Sequence, residues 1–353
     1  MLKHFLLVNS IHKRKLSMSI ISNTNRKQIK TKIYACGGFA FNTLAQFQPT
    51  AVSDNLTHVS VNYIDTTASN MPSTATPATT YLFKNMDGGG KERRTTYPAV
   101  LPLIPDVLEK LPPEDFNIVV HSSSGGSGSS IGPALVTELL RLGKHVVVVQ
   151  IGSVGSKKEV QNTIATIRSY ANIAAKAQRP VVSYYRENNE KATRMDVDEQ
   201  VQSVLFMLCM LFSSENTGLD TADLENFLNY NKVTSFRPEL STFDFHCQKV
   251  ELPENLVVQS AAILFSEGVS ATDGHENGNF LVEYRAEGFL SENRTQQFND
   301  KAPIFFLAYT GDFSARLIDL ESRVKRFETA ARAHSNSNLS VSLVDSTDDG
   351  MVF

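Results

Sequence analysis

Cysteine is scarce in this chain. Cys36, Cys209 and Cys247 are the three among 353 residues, odd in number and widely spaced. That excludes a disulfide framework and a paired-cysteine zinc pattern, and it favours a reducing compartment. Long apolar runs are missing as well. No stretch of eighteen apolar residues occurs, which argues against a helical membrane span. Acid is absent from the start of the chain: the first carboxylate is Asp54.

What is present is a globular composition. Hydrophobic residues make up 41% and charged residues 20%, too apolar for a disordered chain. A length of 353 residues allows one large α/β domain or two ordinary ones. Charge is unevenly spread. Residues 1–32 hold eight basic side chains and no acid; without them 26 basic residues face 37 acidic ones, a balance of -11. The chain also ends acidic, with Asp345, Asp348 and Asp349. Residues 1–30 lack a sustained period and read as a flexible basic extension. A targeting peptide, or sequence upstream of a start at Met18, are the other readings.

Ile33–Cys36 is a short apolar run that stops at Gly37-Gly38, and Val59–Ile64 is an alternating strand ending at Asp65. Asp87-Gly88-Gly89-Gly90-Lys91 forms a second glycine loop, and a proline-punctuated helix is expected over 100–111. Phe116–His121 reads as a strand. The run Ser122–Ser130 follows, with glycine at 125, 126 and 128, and then a helix over 131–142 with leucines at 135, 139 and 142. Val146–Ile151 is the next strand. This strand–loop–helix–strand unit predicts a parallel sheet. A helix at 160–167, a strand over 181–185 and a long helix over 196–213 come next. The centre of that last helix, Leu205–Phe212, is apolar on every side and so buried. Beyond Gly218 the texture is α+β, with strands expected over 256–265, 280–284 and 304–309 and a helix over 314–334.

Glycines between a strand and a helix let the backbone approach an anion. The helix N-terminus adds unpaired N–H groups and the positive end of its dipole. Ser127, Ser129 and Ser130 add hydroxyls. No Gly-Lys-Ser/Thr closes the run, so it is not a P-loop. Gly37-Gly38 with Asp65 also fits a degraded dinucleotide fingerprint, which points to an oxidoreductase. That reading leaves two glycine loops unused, whereas one polyphosphate ringed by several loops uses all three.

These residues resemble the tubulin and FtsZ superfamily, and most of all the tubulin-like filament proteins of giant bacteriophages, the PhuZ type. The resemblance rests on Gly125-Gly126-Ser127-Gly128-Ser129 with Gly132-Pro133, on Leu219–Asn226, and on Asp348-Asp349-Gly350, and it runs from Lys32 onward. It implies an α/β protein: a parallel-sheet GTP-binding domain over 31–195, a central buried helix over 196–217, an α+β second domain over 218–310, and a C-terminal helix with acidic tail over 311–353. Gly37, Gly38 and Asn42 would form the first nucleotide loop. Asp65 and Thr66 would follow the second strand, and Gly88, Gly89 and Gly90 would sense the γ-phosphate. Ser124, Gly125, Gly126, Ser127, Gly128 and Ser129 would cradle the α- and β-phosphates. Asn162 and Asn188 would belong to the sugar and base region, and Asp198 to the guanine edge, whose N–H donors suit a carboxylate. Phe39, Ala40 and Ser124 depart from the family pattern, as does Asn226, near which FtsZ carries a further acid.

The resemblance further implies a GTPase that uses GTP/GDP and Mg²⁺ and assembles head to tail with itself. Asp223 first, then Asp220, would orient water in the neighbouring subunit's site; both also read as capping acids of a helix over 221–229. Asp345, Asp348 and Asp349 would contact a basic surface of the next subunit. Filaments in the cytoplasm of an infected bacterium would position phage DNA or the replication compartment as indirect cargo, with no direct nucleic-acid or membrane binding. A GTP-binding structural protein without hydrolysis is the remaining alternative. Cys36 and Cys209 read as core residues and His121 as structural; His275 lies in a polar loop.

Overall fold

The sheet is built outward from β1 (Thr31–Cys36), whose six residues are all buried. Its side chains alternate between two cores: Ile33 and Ala35 face one, Tyr34 and Cys36 the other. A strand buried on both faces needs helices on both sides, as parallel sheets require. The computed structural model describes residues 29–47, 58–213, 216–247, 256–266, 281–291 and 302–335. Residues 1–28 of the extension expected over 1–30, His275 and the tail with Asp345, Asp348 and Asp349 lie outside the described residues, whereas Ile29 is buried in the core.

Among the described residues one sheet runs β3-β2-β1-β4-β5-β6-β8-β11-β9-β10-β7. Its members are β2 (Val59–Asp65), β3 (Thr80–Leu82), β4 (Phe116–Ser122), β5 (His145–Ser153), β6 (Val181–Asn188), β7 (Asn216–Thr217), β8 (Leu240–Cys247), β9 (Val258–Phe265), β10 (Arg285–Leu290) and β11 (Ile304–Tyr309). From β3 to β8 every pairing is parallel; β8–β11, β11–β9 and β10–β7 are antiparallel and β9–β10 is parallel. The sheet is continuous across the join, since β6 pairs with β8 from Val181↔Leu240 to Ser183↔Thr242.

One face carries α1 (Gly38–Ala45), α6 (Arg194–Leu211) and α7 (Thr221–Leu228). The other carries α3 (Ile104–Lys110), α4 (Ser127–Arg141), α5 (Lys157–Ala177) and α8 (Asp312–Ser335). A short helix, α2 (Arg93–Val100), precedes α3. Helix α6 packs across both halves of the sheet: its Val204, Leu205 and Met207–Leu211 are buried in one core with Ile33, Val149, Leu264 and Phe306. Each such side chain, fully buried, contributes about 1.5–3 kcal/mol. Burial begins only at the third turn, apart from Val197 and Val201, because the first turns carry Asp196, Asp198 and Glu199.

Several boundaries differ from the sequence expectation. Helix α4 starts at Ser127 rather than 131, because Ser129 and Ser130 donate their hydroxyls back to the Gly125 and Gly126 carbonyls and build the first turn. Pro133 therefore sits inside the helix. The segment expected as one helix over 100–111 begins at Arg93 and is broken by a 3-10 turn at Leu101–Leu103. The strand expected over 280–284 is β10; Leu281 is almost fully exposed, and the alternating burial starts at Arg285. Strands β3 and β8 and helix α1 were not expected.

His121 is fully buried beneath α4, its Nε2 2.6 Å from the Tyr170 hydroxyl; burial pushes its pKa down to about 4. Gly132 is what admits the ring, since a β-carbon there would lie 2.6 Å from it. Gly132→Ala is expected to destabilise the fold by about 1–3 kcal/mol, read by chemical denaturation against wild type.

Candidate functional site

Strand order reverses around β1: the chain passes from β1 to β2 on one side and returns to β4 on the other. The loops after β1 and β4 therefore face each other at the carboxyl ends of parallel strands, where open α/β sheets bind ligands. A cavity of about 380 Å³ lies there. Its floor is Gly37, Gly38, Ser122 and Ser124–Gly128, and Phe39, Asn42, Ser153 and Asn188 border it.

Glycine is required at this floor by close backbone approach. Gly37 has φ 83° and caps α1, and a β-carbon on it would lie 2.9 Å from the Gly128 amide. A β-carbon on Gly126 would lie 2.4 Å from the Gly89 carbonyl oxygen. The loop at 88–90 thus rests directly on the loop at 125–128. Asn162 fastens the pair: its Nδ2 donates to the Lys91 carbonyl at 2.9 Å and the Ser124 carbonyl at 3.0 Å. It is 5% exposed and stands behind the cavity.

A second chain of contacts holds the loop after β2. Asp65 accepts from the Thr66 amide at 2.7 Å, and the Thr66 hydroxyl meets that of Ser127 at 2.7 Å. Burial lifts the Asp65 carboxyl above its ordinary range, against the lowering effect of hydrogen bonds from Thr66 and Ser127.

The structure brings together Gly37, Gly38, Asn42, Asn188 and Ser124–Gly128 around one space. Asp65, Thr66, Gly89, Ser129 and Asn162 support that floor without lining it, and Gly88 and Gly90, which flank Gly89, do not line it either. Ser129 donates to loop carbonyls rather than outward. Asp198 stands outside the cavity, accepting from Thr43 at 3.1 Å with Arg194 3.9 Å away. Asn188 Oδ1 is buried with no hydrogen-bond partner, an acceptor left for something that enters. Asp220 and Asp223 cap each other's amides at 3.0 Å at the start of α7, away from this cavity.

Residues that the sequence reading missed also line the space: Asn70, Lys91, Ser153, Glu159 and Arg194. Two had signals. Lys91 follows Gly88–Gly90 directly, and Ser156 three residues before Glu159 is a capping pattern at the start of α5. Burial raises the Glu159 carboxyl, but hydrogen bonds from Lys91, Ser153 and Ser156 and the Lys91 charge outweigh it and hold it below its usual range. Among the described residues no group of three His, Cys, Asp or Glu could hold a metal ion, and no helix is long and apolar enough to cross a membrane.

Comparison with known proteins agrees with this architecture. The chain is 31% identical over 237 residues to a phage tubulin-like protein of Pseudomonas phage PhiPA3, covering 66% of this chain and 73% of that one. This chain belongs to the phage tubulin-like proteins. Among solved structures, the protofilament of TubZ from bacteriophage PhiKZ matches this phage tubulin-like chain with TM-score 0.73 and 25% identity, over 92% of this chain and 96% of that one. The phage tubulin PhuZ bound to GDP matches with TM-score 0.74 and 20% identity over the same shares. No family model matches. The α/β expectation with a mostly parallel sheet is therefore met, as is the tubulin-like resemblance.

Asn162→Ala removes the clamp between two loops. Hydrogen exchange is expected to quicken at both the 88–91 and 124–126 amides, with a stability loss of about 1–3 kcal/mol; unchanged exchange at either loop contradicts the clamp.

Proposed function

We propose that this chain is a GTPase that polymerises head to tail into filaments. The observation that carries the reading is the cavity at the switch point: a glycine floor at the N-terminus of α4, with the unpartnered Asn188 Oδ1 on its wall. Backbone N–H groups of 125–128 and the positive end of the α4 dipole suit phosphate oxygens. An unpaired amide oxygen suits an N–H of guanine or a ribose hydroxyl. The PhiKZ protofilament and the GDP complex of PhuZ support the same reading by analogy.

The residues divide the work accordingly. Gly37, Gly38 and Gly125–Gly128 hold phosphates, and Asn42 and Asn188 hold sugar and base. Asp65, Thr66, Gly88–Gly90, Ser129 and Asn162 keep the floor in shape. Asp198 contributes to guanine selection from behind Thr43 and Arg194. Segment 31–195 serves nucleotide binding, and segment 218–310, joined through α6, serves activation. Magnesium, when bound with GTP, would supply charge neutralisation at the phosphates; among the described residues no carboxylate cluster is placed to hold it, so the hydroxyls of Thr66 and Ser127 and the phosphates themselves would do so.

Asp220 and Asp223 do not line the glycine-floored cavity; they stand at the start of α7, Asp220 exposed and Asp223 half-buried with the Tyr284 hydroxyl 3.3 Å from its Oδ1. That placement suits delivery to the site of the next subunit, where a carboxylate takes a proton from attacking water. The dinucleotide reading fares worse: Asp65, the acid it needs for a ribose, is 1% exposed and faces Thr66 rather than the cavity.

A cleft of about 930 Å³ between α2, α4 and α5 is the acceptor we assign to the acidic tail. Arg93, Arg94, Arg141, Lys158 and Lys176 line it with no acid among them, and Arg93 Nε is buried without a hydrogen-bond partner. Tail docking inside the host cytoplasm, with phage DNA or its replication compartment as indirect cargo, completes the proposal.

Asp223→Ala is expected to assemble with GTP while its turnover falls about a hundredfold. Light scattering and phosphate release read the two together, and wild-type turnover contradicts the assignment. Removing residues 345–353 is expected to raise the concentration needed for assembly, most at low salt; no change at any salt concentration sinks the tail contact.

A further inference from the structure

The cavity floor supplies neutral donors, yet a triphosphate carries several negative charges. Two cations line the space, Lys91 and Arg194. Arg194 belongs to α6 and lies 3.9 Å from Asp198. Lys91 ends the turn that lies on the glycine floor. Its carbonyl shares the Asn162 Nδ2 donor with the Ser124 carbonyl, so its backbone is fixed beside the cradle. Its φ is 59°, a left-handed conformation uncommon outside glycine, adopted directly after Gly90 at φ 50°. Such a backbone is kept only where its surroundings determine it.

The side chain, by contrast, is half exposed and ends 2.6 Å from Glu159 Oε1. Glu159 is itself anchored by the Ser153 hydroxyl at 3.1 Å and by its place in the first turn of α5. Exposed ion pairs of this kind contribute little stability and exchange partners easily. The carboxylate therefore parks an ammonium at the rim of the phosphate cradle without fixing it there.

We propose that Lys91 is a phosphate-contacting residue that reads the third phosphate, exchanging Glu159 for the terminal phosphate oxygens when GTP replaces GDP. This rests on the guanine nucleotide reading above. It assigns the role of the P-loop lysine, absent from the Ser124–Ser129 run, to the loop that rests on it. Lysine acts on phosphate as a point charge with rotatable donors, which suits a side chain that swings between two anions.

Equilibrium dialysis of the full chain with GTP and with GDP, below the concentration at which it assembles, tests this. Lys91→Gln is expected to weaken GTP about tenfold while leaving GDP nearly unchanged, the scale of one charge-assisted hydrogen bond. Lys91→Arg is expected to retain most of the wild-type preference, and Glu159→Gln to raise it by freeing the ammonium. A Lys91→Gln protein with the wild-type GTP-to-GDP ratio overturns the proposal, as does one that loses both nucleotides equally. If the wild-type chain binds neither nucleotide, the guanine reading itself fails; a wild type that binds both with an unchanged variant ratio fails this assignment alone.

Discussion

Contact between two stretches of bare backbone organises the site. The turn at Gly88–Lys91 lies on the turn at Gly125–Gly128 so closely that a β-carbon on Gly89 would come within 2.4 Å of the Ser127 amide nitrogen. Side chains cannot mediate such an approach; only residues without them permit it. Asn162 then holds the two turns by donating to a carbonyl of each, and the Thr66–Ser127 hydroxyl pair ties in a third loop. Glycine here serves loop-against-loop packing as much as ligand approach. The floor that results has its N–H groups gathered at the start of α4, where the dipole adds to them.

That floor depends in turn on the sheet. Seven strands, β3-β2-β1-β4-β5-β6-β8 in sheet order, pair in parallel and set their carboxyl ends in one row, and the reversal of order at β1 opens a crevice between β1 and β4. Both faces of the sheet are covered, so the parallel strands are mostly apolar, and polar residues close them: Asp65, Ser122, Ser153 and Asn188 are terminal residues of β2, β4, β5 and β6. Helix α6 packs against this half and the antiparallel half through a single core, with the cavity-lining Arg194 at its N-terminal end and the turn at Asp220–Asp223 following beyond its C-terminal end in sequence.

Much of this was legible in the sequence because several strands carry short runs of β-branched residues, as at Val146–Val149, and the loops are punctuated by glycine. The α/β class, the parallel sheet and the order of loops follow from that texture alone. Helix starts were misread where small polar residues form the first turn, as at Ser127–Ser130, since serine and glycine look like loop until their hydroxyls fold back on carbonyls. Strand β8 was missed because its alternation, with Ser241, Asp244 and His246 among its residues, breaks the apolar run. The site was read as a set of ligands, whereas the fold sorts it into residues that line the cavity and residues, Asn162 above all, that hold the lining in place. Lys91 and Glu159 each carry a local signal, but their ion pair spans 68 residues and is invisible to local pattern.

Charge follows the same division. The acidic surplus of the chain leaves the cavity with little positive charge of its own, while cations gather in the cleft between α2, α4 and α5. On the function proposed above, a nucleotide would be held mainly by oriented dipoles, and its phosphates would be sensed by whichever cation can reach them. The most direct test of the account is equilibrium binding of radiolabelled GTP in competition with unlabelled GDP, ATP and NADH. Saturable GTP binding, displaced by GDP but by neither ATP nor NADH, is the expected result. Displacement by NADH, or no GTP binding at all, would contradict it.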